Sequence, residues 1–337
     1  MTTRYRLWRR VLRSRRKETS GRASGIHMKQ ANMTVETMDR RVYLIDASVY
    51  IFRAWFSLPD SMTDAVGRPI NALTGFSDML SRLIRERGPR QIAVAFDESL
   101  TSSFRNRIDP NYKANRESAP EELKHQFRMA RQLCDALGLY HLACEEFEAD
   151  DYIGTLVQVA RDSGAASIIV SPDKDLAQLL GPDDLIWDFA KDEWLDGDAI
   201  TAKFGVTPSQ MLDYQALVGD TVDNIPGIAG VGPKAAIALL TRFGSLDGIY
   251  ADLDAVLAMP VRGAKRLRKL LDEQRDAAER SRKLARIVTD IPLECAVERL
   301  QWTGCPPADA DSLLRETGLG TGAISRLLDA CANLPAA

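Results

Sequence analysis

The sequence predicts an α/β fold with a parallel central sheet, followed by a helical C-terminal subdomain. Three apolar runs each deliver an aspartate to their carboxyl end: Val42-Tyr43-Leu44-Ile45 into Asp46, Ile92-Ala93-Val94-Ala95-Phe96 into Asp97, and Ile168-Ile169-Val170 into Asp173. Continuous Val/Ile/Leu runs of this kind read as strands buried on both faces, as in parallel sheets. Helical patterns alternate with the strands, and beyond Asp196 the strands cease.

In order, strand 42–46 leads into helices over about 48–56 and 72–87. Strand 91–96 is followed by a polar, basic segment, a helix over 121–137 and a short strand near 139–142. A helix over 149–163, strand 167–170, a helix over 175–180 and a short strand at 185–189 complete the alternating part. Helices are then expected over 198–204, 208–218 and 233–243, and across a charged stretch, 264–287, whose i,i+4 acid and base pairs suit exposure. The tail, 301–337, is weakly patterned. The sequence therefore divides into an extension (1–40), an α/β part (41–195), a helical part (196–300) and the tail.

With 337 residues, 45% hydrophobic and 27% charged, the chain can bury a large core and has little room for extensive disorder. No apolar run reaches the length of a membrane span. The five cysteines lack CxxC spacing, which argues for reduced thiols in a cytoplasmic protein and against a zinc site. Residues 1–30 hold eight arginines and two lysines against the single acid Glu18, so the remainder is acidic. The extension reads as a disordered tail, or as sequence upstream of a start at Met28, Met33 or Met38. A nucleic-acid-binding arm or a targeting helix are the alternatives.

Ligands of parallel sheets bind beyond the strands' carboxyl ends, so the three aspartates are expected to converge. More acids arrive nearby: Glu148, Asp150 and Asp151 before a helix, Asp175 two residues after Asp173, and Asp220 and Asp223 in Gly219-Asp220-Thr221-Val222-Asp223-Asn224. Crowded carboxylates repel one another unless a hard cation neutralises them, and nine suit two Mg²⁺ or Mn²⁺ ions better than one. Taken alone, Glu148, Asp150 and Asp151 read equally well as helix-capping acids, and Asp173-Lys174-Asp175 as a solvated turn. Two further stretches bear on the substrate. Ile228-Ala229-Gly230-Val231-Gly232-Pro233-Lys234 has the small-residue hairpin and helix start that let backbone N–H groups approach a phosphodiester. Between Asp97 and Glu121, Phe104, Arg105, Arg107, Tyr112, Lys113 and Arg116 interleave cations with aromatics, which suits phosphate gripping and base stacking. A solvated loop is the alternative.

These segments resemble the 5′ nuclease family: the 5′ to 3′ exonuclease domain of bacterial DNA polymerase I, the phage 5′ exonucleases and, more distantly, the flap endonucleases. The resemblance runs from about Arg41 to Glu294 through Leu44-Ile45-Asp46, Val94-Ala95-Phe96-Asp97, Ser103-Phe104-Arg105, Tyr112-Lys113-Ala114-Asn115-Arg116, Glu148-Ala149-Asp150-Asp151, Asp173-Lys174-Asp175-Leu176 and Gly219 to Gly227. It implies a PIN-like α/β fold with a helical arch at about 98–128 and a helix-hairpin-helix-type (H3TH) subdomain on duplex DNA, with K⁺ at the hairpin carbonyls. Asp46, Asp97, Glu148 and Asp150 match a first metal site and Asp173, Asp175, Asp220 and Asp223 a second, with Asp151 near both. Lys113 and Arg116 match residues on the scissile phosphate, Tyr112 a stacking residue, Arg105 a phosphate-gripping arginine, and Gly230, Gly232 and Lys234 the DNA-binding hairpin. Ser171 and Ala235 stand where threonine is frequent, and Glu98-Ser99-Leu100 replaces a lysine-bearing segment. The implied protein is a free-standing, monomeric 5′ to 3′ exonuclease or flap endonuclease acting on 5′-flap or nicked DNA in replication and repair. A PIN-type ribonuclease would be shorter and lack the Gly219 to Ala236 element, and a non-catalytic DNA binder would not need all nine acids.

Overall fold

The computed structural model describes residues 41–98, 103–293, 297–304 and 306–334. The basic extension, residues 99–102 of the expected arch, Cys295 and Cys305 lie outside them. The first part runs β1 (Arg41–Asp46), α1 (Ala47–Ser57), α2 (Asn71–Arg87), β2 (Gln91–Ala95), α3 (Phe104–Ile108), α4 (Glu121–Ala136), β3 (Tyr140–Leu142), α5 (Ala149–Asp162), β4 (Ala166–Val170), a 3₁₀ turn (Asp175–Leu179), β5 (Leu185–Asp188) and β6 (Glu193–Leu195). The six strands lie in the order β3-β2-β1-β4-β5-β6, and all pairs are parallel except β5 with β6. The chain builds outward from β1 to β3, then returns to lay β4 on β1's other side. That reversal opens a crevice beyond the carboxyl ends of β1 and β4.

Both faces of the sheet are covered, which is why its strands read as unbroken apolar runs. Tyr43, Ile45, Ile92, Val94, Ile168 and Val170 share a core with α1, α2 and α4. Their neighbours Val42, Leu44, Ala93 and Ile169 share another with α5. Each buried side chain of this size contributes roughly 1.5–3 kcal/mol. The second core continues into the helical part, formed by α6 (Gly197–Phe204), α7 (Met211–Val218), α8 (Pro233–Phe243), α9 (Leu246–Ala251), α10 (Ala264–Glu273) and α11 (Arg275–Ala285). No helix among the described residues is long and apolar enough to cross a membrane.

Several elements differ from the sequence-based expectation. The charged stretch 264–287 is two helices, because the chain turns at Gln274, whose side chain accepts from Ala229 N (2.8 Å) and donates to Ala229 O (3.1 Å). The helix expected over 175–180 is a single 3₁₀ turn, and the three-residue β6 carries too short a pattern to be read as a strand. The tail is folded: α12 (Ala310–Glu316) and α13 (Thr321–Ala332) bury Leu314, Ile324 and Leu327 in the α2/α4 core. Trp302 anchors its start, its indole donating to Leu137 O at 2.8 Å. Short helices separated by Gly318 and Gly320 break the periodicity, and that concealed them.

Candidate active site

The crevice collects the strand-end acids. Asp46 ends β1 and caps α1, accepting from Val49 N at 3.4 Å and from Ser171 Oγ at 2.9 Å. Burial, with the charges of Asp97 and Asp173 adding to it, pushes its carboxyl up to about 7. Asp97 follows β2; its N–H donates to Ser48 Oγ and its carboxylate accepts from Ala149 N at 2.8 Å. Burial raises this group as well, opposed by the Lys113 ammonium. Asp150 opens α5 and is raised well above the usual carboxylate range by burial and by Asp173, Asp46 and Asp97.

The second group stands beside the first. Asp173 follows β4, its backbone N–H held by Ser171 Oγ at 3.1 Å, and it accepts from Asp175 N at 3.1 Å. Burial and the charges of Asp173 and Asp220 push Asp175 well up, and its buried Oδ1 accepts no hydrogen bond among the described residues. Asp220 and Asp223 come from a tight loop after α7, closed by reciprocal backbone bonds between Asp220 and Ile225 at 2.9 and 2.7 Å. A Cβ on Gly219 would lie 2.5 Å from Ile225 O and one on Gly227 2.4 Å from Gly219 N, so both ends of this loop require glycine.

Basic side chains close the site. The segment after α3 is fastened to the acidic loop by Lys113 N to Asp223 O (3.0 Å), Asn115 Nδ2 to Thr221 O (3.1 Å) and Asn224 Nδ2 to Asn111 O (2.7 Å). Lys113 adopts φ 54°, a strained region for a side-chain-bearing residue, and such strain clusters at functional sites. Its ammonium lies 2.6 Å from Glu148 Oε2 and 3.7 Å from Asp223 Oδ2, and Arg116 pairs with Asp223. Burial works against the charge of Glu148, but Lys113 and Arg105 hold its carboxyl below its ordinary value. Lys174, between the two aspartates, reaches Asp220 at 3.0 Å.

Two residues expected at the substrate, Arg105 and Tyr112, and one expected at the metals, Asp151, are committed elsewhere. Arg105 is 3% exposed and grips Asp151 with two 2.7 Å bonds while donating to Leu284 O and Arg286 O; four of its five N–H groups are engaged, and burial keeps the guanidinium from gripping phosphate. Asp151 is fully buried, and its two oxygens also accept from Val288 N and Glu148 N, so it holds the start of α5 in position and does not face a cation site. Tyr112 is 3% exposed with its hydroxyl on Glu148, which leaves no face for stacking. Gly230, Gly232 and Lys234 are exposed at the hairpin, with Gly232 capping α8. The sequence reading missed the structural parts of Ser48 and Ser171 and the acid contact of Lys174; only the position of Lys174 between Asp173 and Asp175 signalled it.

Among the described residues no three acidic, histidine or cysteine side chains are drawn tightly enough together to cage an ion as they stand. The donor set nevertheless fits divalent cations. All the acids are hard oxygen ligands, four of them are raised by burial and mutual repulsion, and one buried oxygen has no donor.

The profile for the "5′-3′ exonuclease, N-terminal resolvase-like domain" matches residues 41–205, and that for the "5′-3′ exonuclease, C-terminal SAM fold" matches 206–308. A 5′-3′ exonuclease from Aquifex aeolicus is 36% identical over 262 residues, 78% of this chain and 86% of that protein. The chain belongs to the 5′-3′ exonuclease family. DNA polymerase I of Rhizobium leguminosarum is 40% identical over 266 residues, 77% of this chain. The chain spans 26% of that polymerase's length. The 5′-3′ exonuclease fold is also that of the T5 D15 protein co-crystallised with metal ions (TM-score 0.60, 18% identity, 88% of this chain and 99% of that one). The catalytic core of Rad2 in complex with DNA substrate has it too (TM-score 0.55, 16% identity, 90% and 95%).

Proposed function

We propose that this chain is a divalent-metal-dependent nuclease that cuts DNA at 5′ ends and 5′ flaps, in replication and repair. The observation that carries the reading is the convergence of two groups of acids at the sheet's switch point, with Lys113 paired to Glu148 and Asp223 and Arg116 to Asp223. Asp46, Asp97, Glu148 and Asp150 would hold one Mg²⁺ or Mn²⁺, and Asp173, Asp175, Asp220 and Asp223 the other. Such ions supply a water of lowered pKa and charge neutralisation at the reacting phosphate.

This chain's own residues do the rest. Lys113 and Arg116, fixed by the arch segment, offer N–H donors to the phosphoryl oxygens as negative charge builds on them. Ser48 and Ser171 orient the aspartates at the ends of β1, β2 and β4. The exposed hairpin at Gly230 and Gly232 brings backbone N–H groups and the α8 amino end to a duplex phosphate, with Lys234 beside it and K⁺ at the hairpin carbonyls. The family relatives, one named 5′-3′ exonuclease, support the reading. Labelled 5′-flap, nicked and blunt duplexes incubated with the purified protein in Mg²⁺ or in EDTA test it. Cleavage of the flap in Mg²⁺ alone is expected.

A further inference from the structure

A cavity of about 350 Å³ opens from the second group of acids toward the sheet edge. The lining includes Asp173, Asp175, Asp220 and Asp223, and an apolar floor from β6 and α6 in which Leu195 and Phe204 keep exposed surface, backed by the buried Ile186 and Ile200. Lys191 and Lys203 stand at its rim, 2.8 Å from Asp188 and 3.1 Å from Glu193. Lys203 also lies 6.0 Å from the centre of the Phe204 ring. The volume is that of a small-ligand pocket, where an apolar lining with few polar groups fixes one orientation.

Resting on the nuclease reading above, we infer that this cavity is a nucleoside subsite, taking the base and sugar of one unpaired nucleotide whose phosphate lies at the acids. The chemistry is two-ended. The acidic end would suit a phosphate once the proposed cations are held there, whereas the floor offers nothing to a charged backbone and suits the flat apolar face of a base. Lys203 and Lys191, already at the rim, would cover the polar edge of that base or the next phosphate. The ligand is a nucleoside monophosphate unit, either within the strand being cut or as the released mononucleotide.

The test is single-turnover cleavage of a 5′-flap duplex, intact or abasic on one side or the other of the scissile phosphate, with dAMP and inorganic phosphate as competitors. The parent protein should cut the intact flap and slow about tenfold on one abasic substrate, the scale of one lost stacking contact. Phe204→Ala should slow on the intact flap and lose nothing further on the abasic one. Lys203→Ala, an exposed change that spares the core, should weaken competition by dAMP and leave that by phosphate unchanged, so the test survives if Phe204→Ala does not fold. Competition by dAMP over phosphate without abasic sensitivity assigns the pocket to the released mononucleotide. Cleavage of all three flaps at one rate, with dAMP no better than phosphate, overturns the subsite and leaves the nuclease reading standing. No cleavage of the intact flap overturns that reading itself.

Discussion

Arg105 and Asp151 form a buried, two-pronged ion pair, with both arms at 2.7 Å. The pair joins three segments that the sequence separates widely. Arg105 belongs to α3, Asp151 to the first turn of α5, and the carbonyls of Leu284 and Arg286 that Arg105 also reaches lie at the end of α11. Val288 N and Glu148 N complete the shell around Asp151. Through this pair the helical subdomain sets the position of the acids that open α5.

Arg105→Ala should therefore act on stability before it acts on DNA. It strands a buried carboxylate, for which the expected cost is roughly 3–5 kcal/mol. Thermal melts should fall steeply, while the salt dependence of duplex binding by the protein that remains folded should stay unchanged. A normal melting temperature with a shallower salt slope would return Arg105 to the phosphate-gripping role.

Lys113→Ala and Arg116→Ala should slow the chemical step at saturating DNA by roughly 10²-fold or more, with smaller losses in affinity. Single-turnover rates beside binding titrations on one 5′ flap measure the split. Parental rates at saturation would make the segment a solvated loop.

The hairpin glycines should separate. A Cβ on Gly232 meets nothing within 4 Å, so Gly232→Val should leave the fold intact and weaken duplex binding by keeping the backbone from phosphate. Gly230 has φ 93°, and a Cβ there would lie 3.1 Å from Leu270 Cδ1 of α10, so Gly230→Val should also lower the melting temperature. Melting curves and duplex titrations of both variants check this; unchanged duplex affinity in Gly232→Val would make the hairpin structural only.

Without divalent ions, stability should fall as pH rises. Asp46 ionises near 7 in the folded chain against 3.8 as a free group, so the folded state holds its proton longer. That stabilisation is complete below about 4 and is lost as pH passes 7. Asp97, Asp150 and Asp175 shift the same way. Glu148, held below its ordinary value, gives the opposite trend only at more acidic pH. Melting temperature should drop between pH 5 and pH 8 in EDTA, and Mg²⁺ should raise it more at pH 8. Equal Mg²⁺ effects at both would argue against these acids as the binding site.

Much of this was legible in the sequence because the relevant signals are local. The apolar runs ending in Asp46, Asp97 and Asp173 gave the strands and the crevice, and the spacing around Glu148 and Asp220 gave the remaining acids. What was hidden depends on long-range geometry. Ser103-Phe104-Arg105 carries a cation in a basic segment whether it faces phosphate or Asp151, and only the fold decides between them. Tyr112 was misread for the same reason. The tail helices were missed because their burial depends on a groove made by α2 and α4, not on a strong pattern of their own.

The most direct test of the central claim is cleavage of a labelled 5′-flap duplex by the parent protein, by Asp97→Asn and by Asp173→Asn, in Mg²⁺ and in EDTA, with duplex binding measured alongside. The account predicts cutting by the parent in Mg²⁺ alone, and loss of cutting in both variants with binding largely kept, since these carboxylates hold ions and not the duplex. Full turnover in EDTA, or parental rates in both variants, would contradict it.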